Sequence, residues 1–119
     1  PPGTYNDPAL STRVRAALVK TLAPDHVEDT APGTASEDFG HFGLGQNHLP
    51  TVMFWLGAMD PAKFAAAKAE GKFLPGMHTS RFEPLPEPTL RTGVTAMTGV
   101  AMALLNQGWS FAEAIPIVA

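Results

Sequence analysis

The 119-residue sequence contains no cysteine, which excludes disulfide frameworks, thiolate metal sites and cysteine nucleophiles. Long apolar runs are also missing. The longest, residues 100–105, has six residues and the run at 52–56 is strand-sized, against the roughly 20 residues a membrane span needs. Charge of one sign is scarce: 8 Lys and Arg face 11 Asp and Glu, for a net charge of −3, with no run of like charges. Such a surface offers no basic face to a phosphate backbone or an anionic bilayer, so neither nucleic acid nor membrane is an expected partner. Serines 11, 36, 80 and 110 lack a Gly-x-Ser-x-Gly context, and no glycine pattern follows a strand-like segment to cradle phosphate. No internal repeat is present. The first residues, Pro1-Pro2-Gly3-Thr4-Tyr5, have neither the charged start nor the apolar centre of a signal peptide, nor an initiator Met, and the expectation is a piece of something longer.

Proline is abundant. Its 12 copies are about twice the average usage of roughly 5%, and they punctuate elements rather than form a low-complexity tract. Asn6-Asp7-Pro8 reads as a helix start, with Asp7 as cap and Pro8 at the first helical position. Leu10, Val14, Leu18 and Leu22, with Ala17 beside them, form one stripe at helical spacing. After Ala23-Pro24-Asp25, residues 26–30 alternate as an edge strand would. Ser36 is placed to cap a short helix whose first turn holds Glu37 and Asp38 and whose inner face holds Phe39 and Phe42. Residues 51–58 are continuously apolar and rich in β-formers, so a central strand covered on both faces is expected. Asp60-Pro61 repeats the cap-and-proline signal before a short exposed alanine-rich helix that stops at Gly71. Residues 73–88 form a loop, and 89–106 a largely buried helix closed by Gly108. The expected fold class is α/β, with few strands, long packing helices and a sheet too thin to be complete in this chain.

The candidate chemistry is sparse. Four histidines, at 26, 41, 48 and 78, show no three- or four-residue pairing of a helical metal site. His26 reads as solvated, and His41 and His48 as structural or exposed. Glu37 and Asp38 form a possible carboxylate pair, but sequence neighbours point to different helix faces, and capping accounts for them without chemistry. Met53, Phe54, Trp55, Met97 and Met102 read as core.

Four motifs occur in one order: Pro1-Pro2-Gly3-Thr4-Tyr5-Asn6-Asp7, Ala35-Ser36-Glu37-Asp38-Phe39, Phe54-Trp55-Leu56-Gly57, and Met77-His78-Thr79-Ser80-Arg81-Phe82, followed by the helix from Pro88. Together they resemble the C-terminal part of metal-dependent amidohydrolases of the hippurate hydrolase, N-acyl amino acid amidohydrolase and indole-acetyl-amino-acid hydrolase type, within the aminoacylase and carboxypeptidase group of zinc peptidases. The resemblance runs over residues 1–105. It implies that residues 1–108 belong to the α/β catalytic domain and 109–119 form a C-terminal tail. It also implies that the N-terminal part of that domain, and a lid domain involved in dimerisation, lie outside the chain. A homo-oligomeric parent is consistent with such a lid.

The resemblance further implies a dimetal site of zinc, manganese, cobalt or nickel, whose ligands come mostly from upstream of the lid. His78 matches the final histidine ligand, with Thr79-Ser80 standing where Ser-Pro is common. Ser36, Glu37 and Asp38 match a motif near the active site, where a role in orienting substrate or supporting ligands stands beside the capping role. The glutamate that serves as general base lies upstream, so no catalytic residue is expected in this chain. The implied reaction is attack of metal-activated water on the amide of an N-acyl or N-aroyl amino acid, in a cytoplasmic enzyme. One imidazole cannot hold a catalytic zinc, which normally takes three protein ligands, so the isolated chain is expected to be inactive. The competing expectation is a stand-alone, non-catalytic α/β binding or interaction domain.

Overall fold

Three helices and two short 3₁₀ turns make up the secondary structure of the computed structural model, which describes residues 3–34, 37–44 and 48–106. The first helix, α1 (Pro8–Leu22), starts where Asp7 and Pro8 place it: Asp7 Oδ1 accepts from the Leu10 N–H at 2.7 Å. It ends at Ala23, whose φ of 79° turns the chain out of the helix. The second, α2 (Pro61–Ala69), repeats the device, with Asp60 Oδ1 accepting from Ala62 N–H at 2.8 Å and Lys63 N–H at 3.3 Å. Gly71 comes two residues after it, at φ 66°. The Lys72 N–H reaches the Ala67 carbonyl at 2.8 Å and the Gly71 N–H the Lys68 carbonyl at 3.2 Å, the paired bonds of a Schellman stop that only a left-handed residue permits. The third helix, α3 (Pro86–Leu105), begins three residues before the expected Thr89. Pro86 and Pro88 both fit its first turn, because N–H groups there have no intrahelical partner to lose. The expected closing residue, Gly108, lies outside the described residues, as does the 109–119 tail.

The chain divides into two compact units. Unit 1 comprises Pro1–Phe54 with Thr95–Ala119, and unit 2 comprises Trp55–Val94. In unit 1, Val14, Ala17 and Leu18 of α1 are buried with Ala96 and Val100 of α3, and Leu10, Leu22, Val27, Val52 and Phe54 pack around them. The α1 stripe is therefore the core stripe. For α3 the expectation of a largely buried helix is corrected: its buried residues are Ala96 and Val100, with Ala103 and Leu104 partly buried against them, while Leu90, Val94, Met97, Met102 and Leu105 are exposed. Gly99 explains the choice. A Cβ there would come within 2.8 Å of Thr21 Cγ2 and 3.0 Å of Thr21 Cβ, so the helices approach more closely than a face of Leu and Met allows.

The α/β expectation is overturned, because no strand occurs among the described residues. Residues 51–54 have no regular secondary structure, and their backbone partners are residues 5–7 rather than a neighbouring strand. Asn6 clamps Met53 on both sides, its Nδ2 donating to the Met53 carbonyl and its Oδ1 accepting from the Met53 N–H, each at 2.8 Å. The Asp7 N–H donates to the Thr51 carbonyl at 2.9 Å, and Thr51 Oγ1 to the Tyr5 carbonyl at 3.1 Å. A strand is defined by a ladder to a neighbouring strand, and high β-propensity without that neighbour does not make one. Nor is the segment covered on both faces: Val52 and Phe54 turn to the core, while Trp55 and Leu56 are exposed. The expected edge strand at 26–30 is likewise absent; Pro24–His26 is a 3₁₀ turn, and residues 27–30 are irregular.

Candidate functional site

The loop between α2 and α3 places His78. Within it, Thr79 Oγ1 donates to the Gly76 carbonyl at 2.9 Å and the Phe82 N–H to the Thr79 carbonyl at 3.2 Å, closing a tight turn around the histidine. His78 has φ 66°, the left-handed region, and is exposed. Two contacts anchor the C-terminal end of the loop within unit 2: Lys63 Nζ meets Glu83 Oε2 at 3.0 Å, and the Leu85 N–H donates to the Ala58 carbonyl at 2.7 Å. Arg81 and Glu83 line a small recess of about 70 Å³ with Asp60, Lys63 and Leu74. No hydrogen bond or ion pair holds the His78 ring among the described residues.

The second group of candidates lies in unit 1. Glu37 Oε1 accepts from the Phe39 N–H at 3.0 Å, so this carboxylate caps the 3₁₀ turn Phe39–Gly43 that the sequence suggested as a short helix. Asp38 stands at the N-cap position, but only its backbone takes part: its carbonyl accepts from the His41 N–H at 3.1 Å, and its side chain makes no cap bond. Ser36, the expected cap, lies outside the described residues. Phe39 and Phe42 do meet, with ring centroids 5.6 Å apart at 54°, because residues three apart eclipse in a 3₁₀ turn. Phe42 is nevertheless exposed, so the pair does not share an inner face. His78 and the Glu37-Asp38 pair fall in different compact units.

His26 is exposed, 3.8 Å from its neighbour Asp25, and His41 and His48 are exposed as well. Among the described residues, no three His, Asp or Glu side chains converge into a group that could hold a metal ion. In chemical terms, the described chain offers exposed imidazoles at positions 41, 48 and 78 that meet no partner among the described residues, and His48, at φ 41°, shares the positive φ of His78. No helix among the described residues is long and apolar enough to cross a membrane. Sequence reasoning missed two features: the Asn6 clamp, because nothing in Asn6-Asp7 says which distant residue an amide will bracket, and a recess beside α2, which exists only because the Gly71 stop reverses the chain. Comparison with protein-family models, with curated proteins and with solved structures gave no match.

Proposed function

We propose that this chain is the C-terminal part of a metal-dependent amidohydrolase acting on N-acyl or N-aroyl amino acids, in which His78 supplies one imidazole to a centre completed by residues outside the chain. The observation that carries the reading is the backbone at His78, taken together with the motif at residues 77–82 in which it stands. A left-handed conformation costs a non-glycine residue about 1–2 kcal/mol, which glycine would avoid, and the exposed ring makes no fold-stabilising bond among the described residues. His48 shares the positive φ, at 41°, and the exposure, so what singles out position 78 as the ligand is the motif at residues 77–82 around it. Strained, exposed loop positions are where such groups are held for function.

The described residues do not by themselves fit a metal ion, since no ligand group converges, and no catalytic step is assigned to this chain. The parent is placed in the cytoplasm on the resemblance of its motifs. A second reading, a non-catalytic binding or interaction module, draws on the large apolar side chains that α3 exposes.

The test uses the chain joined to its upstream ligand-bearing half. With an N-acyl amino acid as substrate and metal analysis on the same preparation, His78→Gly should lose bound metal and turnover together, while its Tm measured against the parent with both metal-free stays level or rises, because glycine relieves the backbone cost. His26→Ala and His48→Ala should change neither. A position-78 variant with full metal content and near-parent turnover would remove the ligand role. An upstream reading frame without ligand residues would favour the binding module.

A further inference from the structure

We propose that the recess between α2 and residues 71–74 binds a small amphipathic carboxylate, an acyl chain ending in one anionic group. The recess has a volume of about 330 Å³, within the range of roughly 300–1,000 Å³ usual for small-molecule sites. One wall is the side of α2 carrying Phe64, Ala67 and Lys68, which share a face because they stand three and four residues apart. The left-handed stop at Gly71 reverses the chain, and Phe73 and Leu74 form the opposite wall.

Two observations say what belongs there. Phe73 is 99% exposed and Phe64 56%, so two aromatic rings border an apolar hollow without the stabilisation that burial would bring. The charged residues lining the hollow are Lys68 and Lys72, both cationic. Lys72 already meets Glu70 Oε2 at 2.7 Å, whereas Lys68 has no carboxylate partner among the described residues. An apolar hollow with one spare cation at its rim matches a ligand with an apolar body and one negative charge. A neutral amphiphile leaves the ammonium unmatched, and a cationic one is repelled. The concave shape favours a small molecule over a lipid leaflet, into which a continuous amphipathic face would insert. The site lies wholly within unit 2 and does not rest on His78 or on a metal.

The experiment titrates the full chain with octanoate below its micelle-forming range and follows backbone amide shifts. Octanol and octylammonium serve as controls with the same tail, and anionic phospholipid vesicles as a separate arm. Saturable shifts confined to residues 64–74 are expected with octanoate. Affinity should fall about two- to fivefold in Lys68→Ala, the scale of an exposed ion pair, and about tenfold in Phe73→Ala, the scale of losing a burying aromatic. His78→Ala should bind as the parent does. Lys68 and Phe73 are both exposed, so neither substitution removes a packed group. Octanol binding as tightly as octanoate would overturn the charge assignment. Shifts absent or centred elsewhere would overturn the site, and binding to vesicles without binding to free octanoate would assign the face to a membrane surface instead.

Discussion

Helices α1 and α2 begin with the same two residues, Asp-Pro, and in both the aspartate accepts N–H groups of the first turn. Their support differs. Over 15 residues, α1 buries Val14, Ala17 and Leu18 against Ala96 and Val100 of α3, whereas the 9 residues of α2 bury nothing. The contrast extends to the units. Among the described residues, the buried hydrophobic ones lie in unit 1, and residues 55–94 contain no buried position. A helix shorter than about 12 residues is marginal in water without packing, so α2 depends on its cap, its Schellman stop and surface ion pairs. Local signals can start and stop a helix, but burial is what makes one hard to unfold.

That contrast should break first in unit 1. Leu18→Ala is expected to cost about 2–4 kcal/mol by leaving a cavity under α1, a large share of the roughly 5–15 kcal/mol that holds a typical domain. A denaturant midpoint equal to the parent's would show that the α1–α3 core is not what stabilises the chain. Next comes the pair of glycines in α3. Gly99→Ala should cost about 1–3 kcal/mol, because its methyl meets β-branched Thr21, whose hydroxyl is already bonded to the Ala17 carbonyl at 2.7 Å. Gly93→Ala meets only the movable tip of Leu56, at 2.9 Å, and gains helix propensity of up to about 1 kcal/mol; it should be neutral or stabilising. Equal Tm changes for the two variants would contradict the close approach at Gly99.

The caps give a smaller and more selective test. Asp7→Ala and Asp60→Ala should each cost their helix about 1 kcal/mol. The first should lower the global midpoint, and the second should speed amide exchange in residues 61–69 while leaving the midpoint nearly unchanged. A matching global loss in both would mean that the two units unfold together. Smallest of all, Lys63→Gln breaks the exposed pair with Glu83 and should shift stability by less than about 0.5 kcal/mol, visible if at all in exchange near residues 83–85.

Helix starts were legible in the residues because the information is local: Asp7-Pro8 and Asp60-Pro61 mark the α1 and α2 starts, and Gly71 marks the stop of α2. The same holds for the α1 stripe, whose helical spacing names its buried side. In α3 the spacing misled. Its apolar and small residues cover most of its circumference; periodicity offered the stripe Leu90, Val94, Met97, Ala101 and Leu104 as the buried one, and Leu104 does pack on the core, yet Leu90, Val94 and Met97 are 67%, 67% and 59% exposed. Residues 51–58 misled for a different reason: their composition reports a preference for extended backbone, but a strand requires a second segment at ladder distance.

The candidate site divides in the same way. That His78 is singular among four histidines came from its surrounding motif, while its left-handed backbone and exposure are properties of the folded turn. Glu37 was open between capping and chemistry in the sequence, and the bond to the Phe39 N–H makes capping its observed structural role. What the sequence by itself determined is where α1 and α2 begin, where α2 stops, and which residue types are available to do chemistry, because these depend on neighbours a few residues away. Only the tertiary structure decided which face of α3 is packed, which residue clamps Met53, and that Phe64 and Phe73 border one hollow. Each of those depends on the approach of residues remote in sequence, set by sterics and burial that no local pattern encodes.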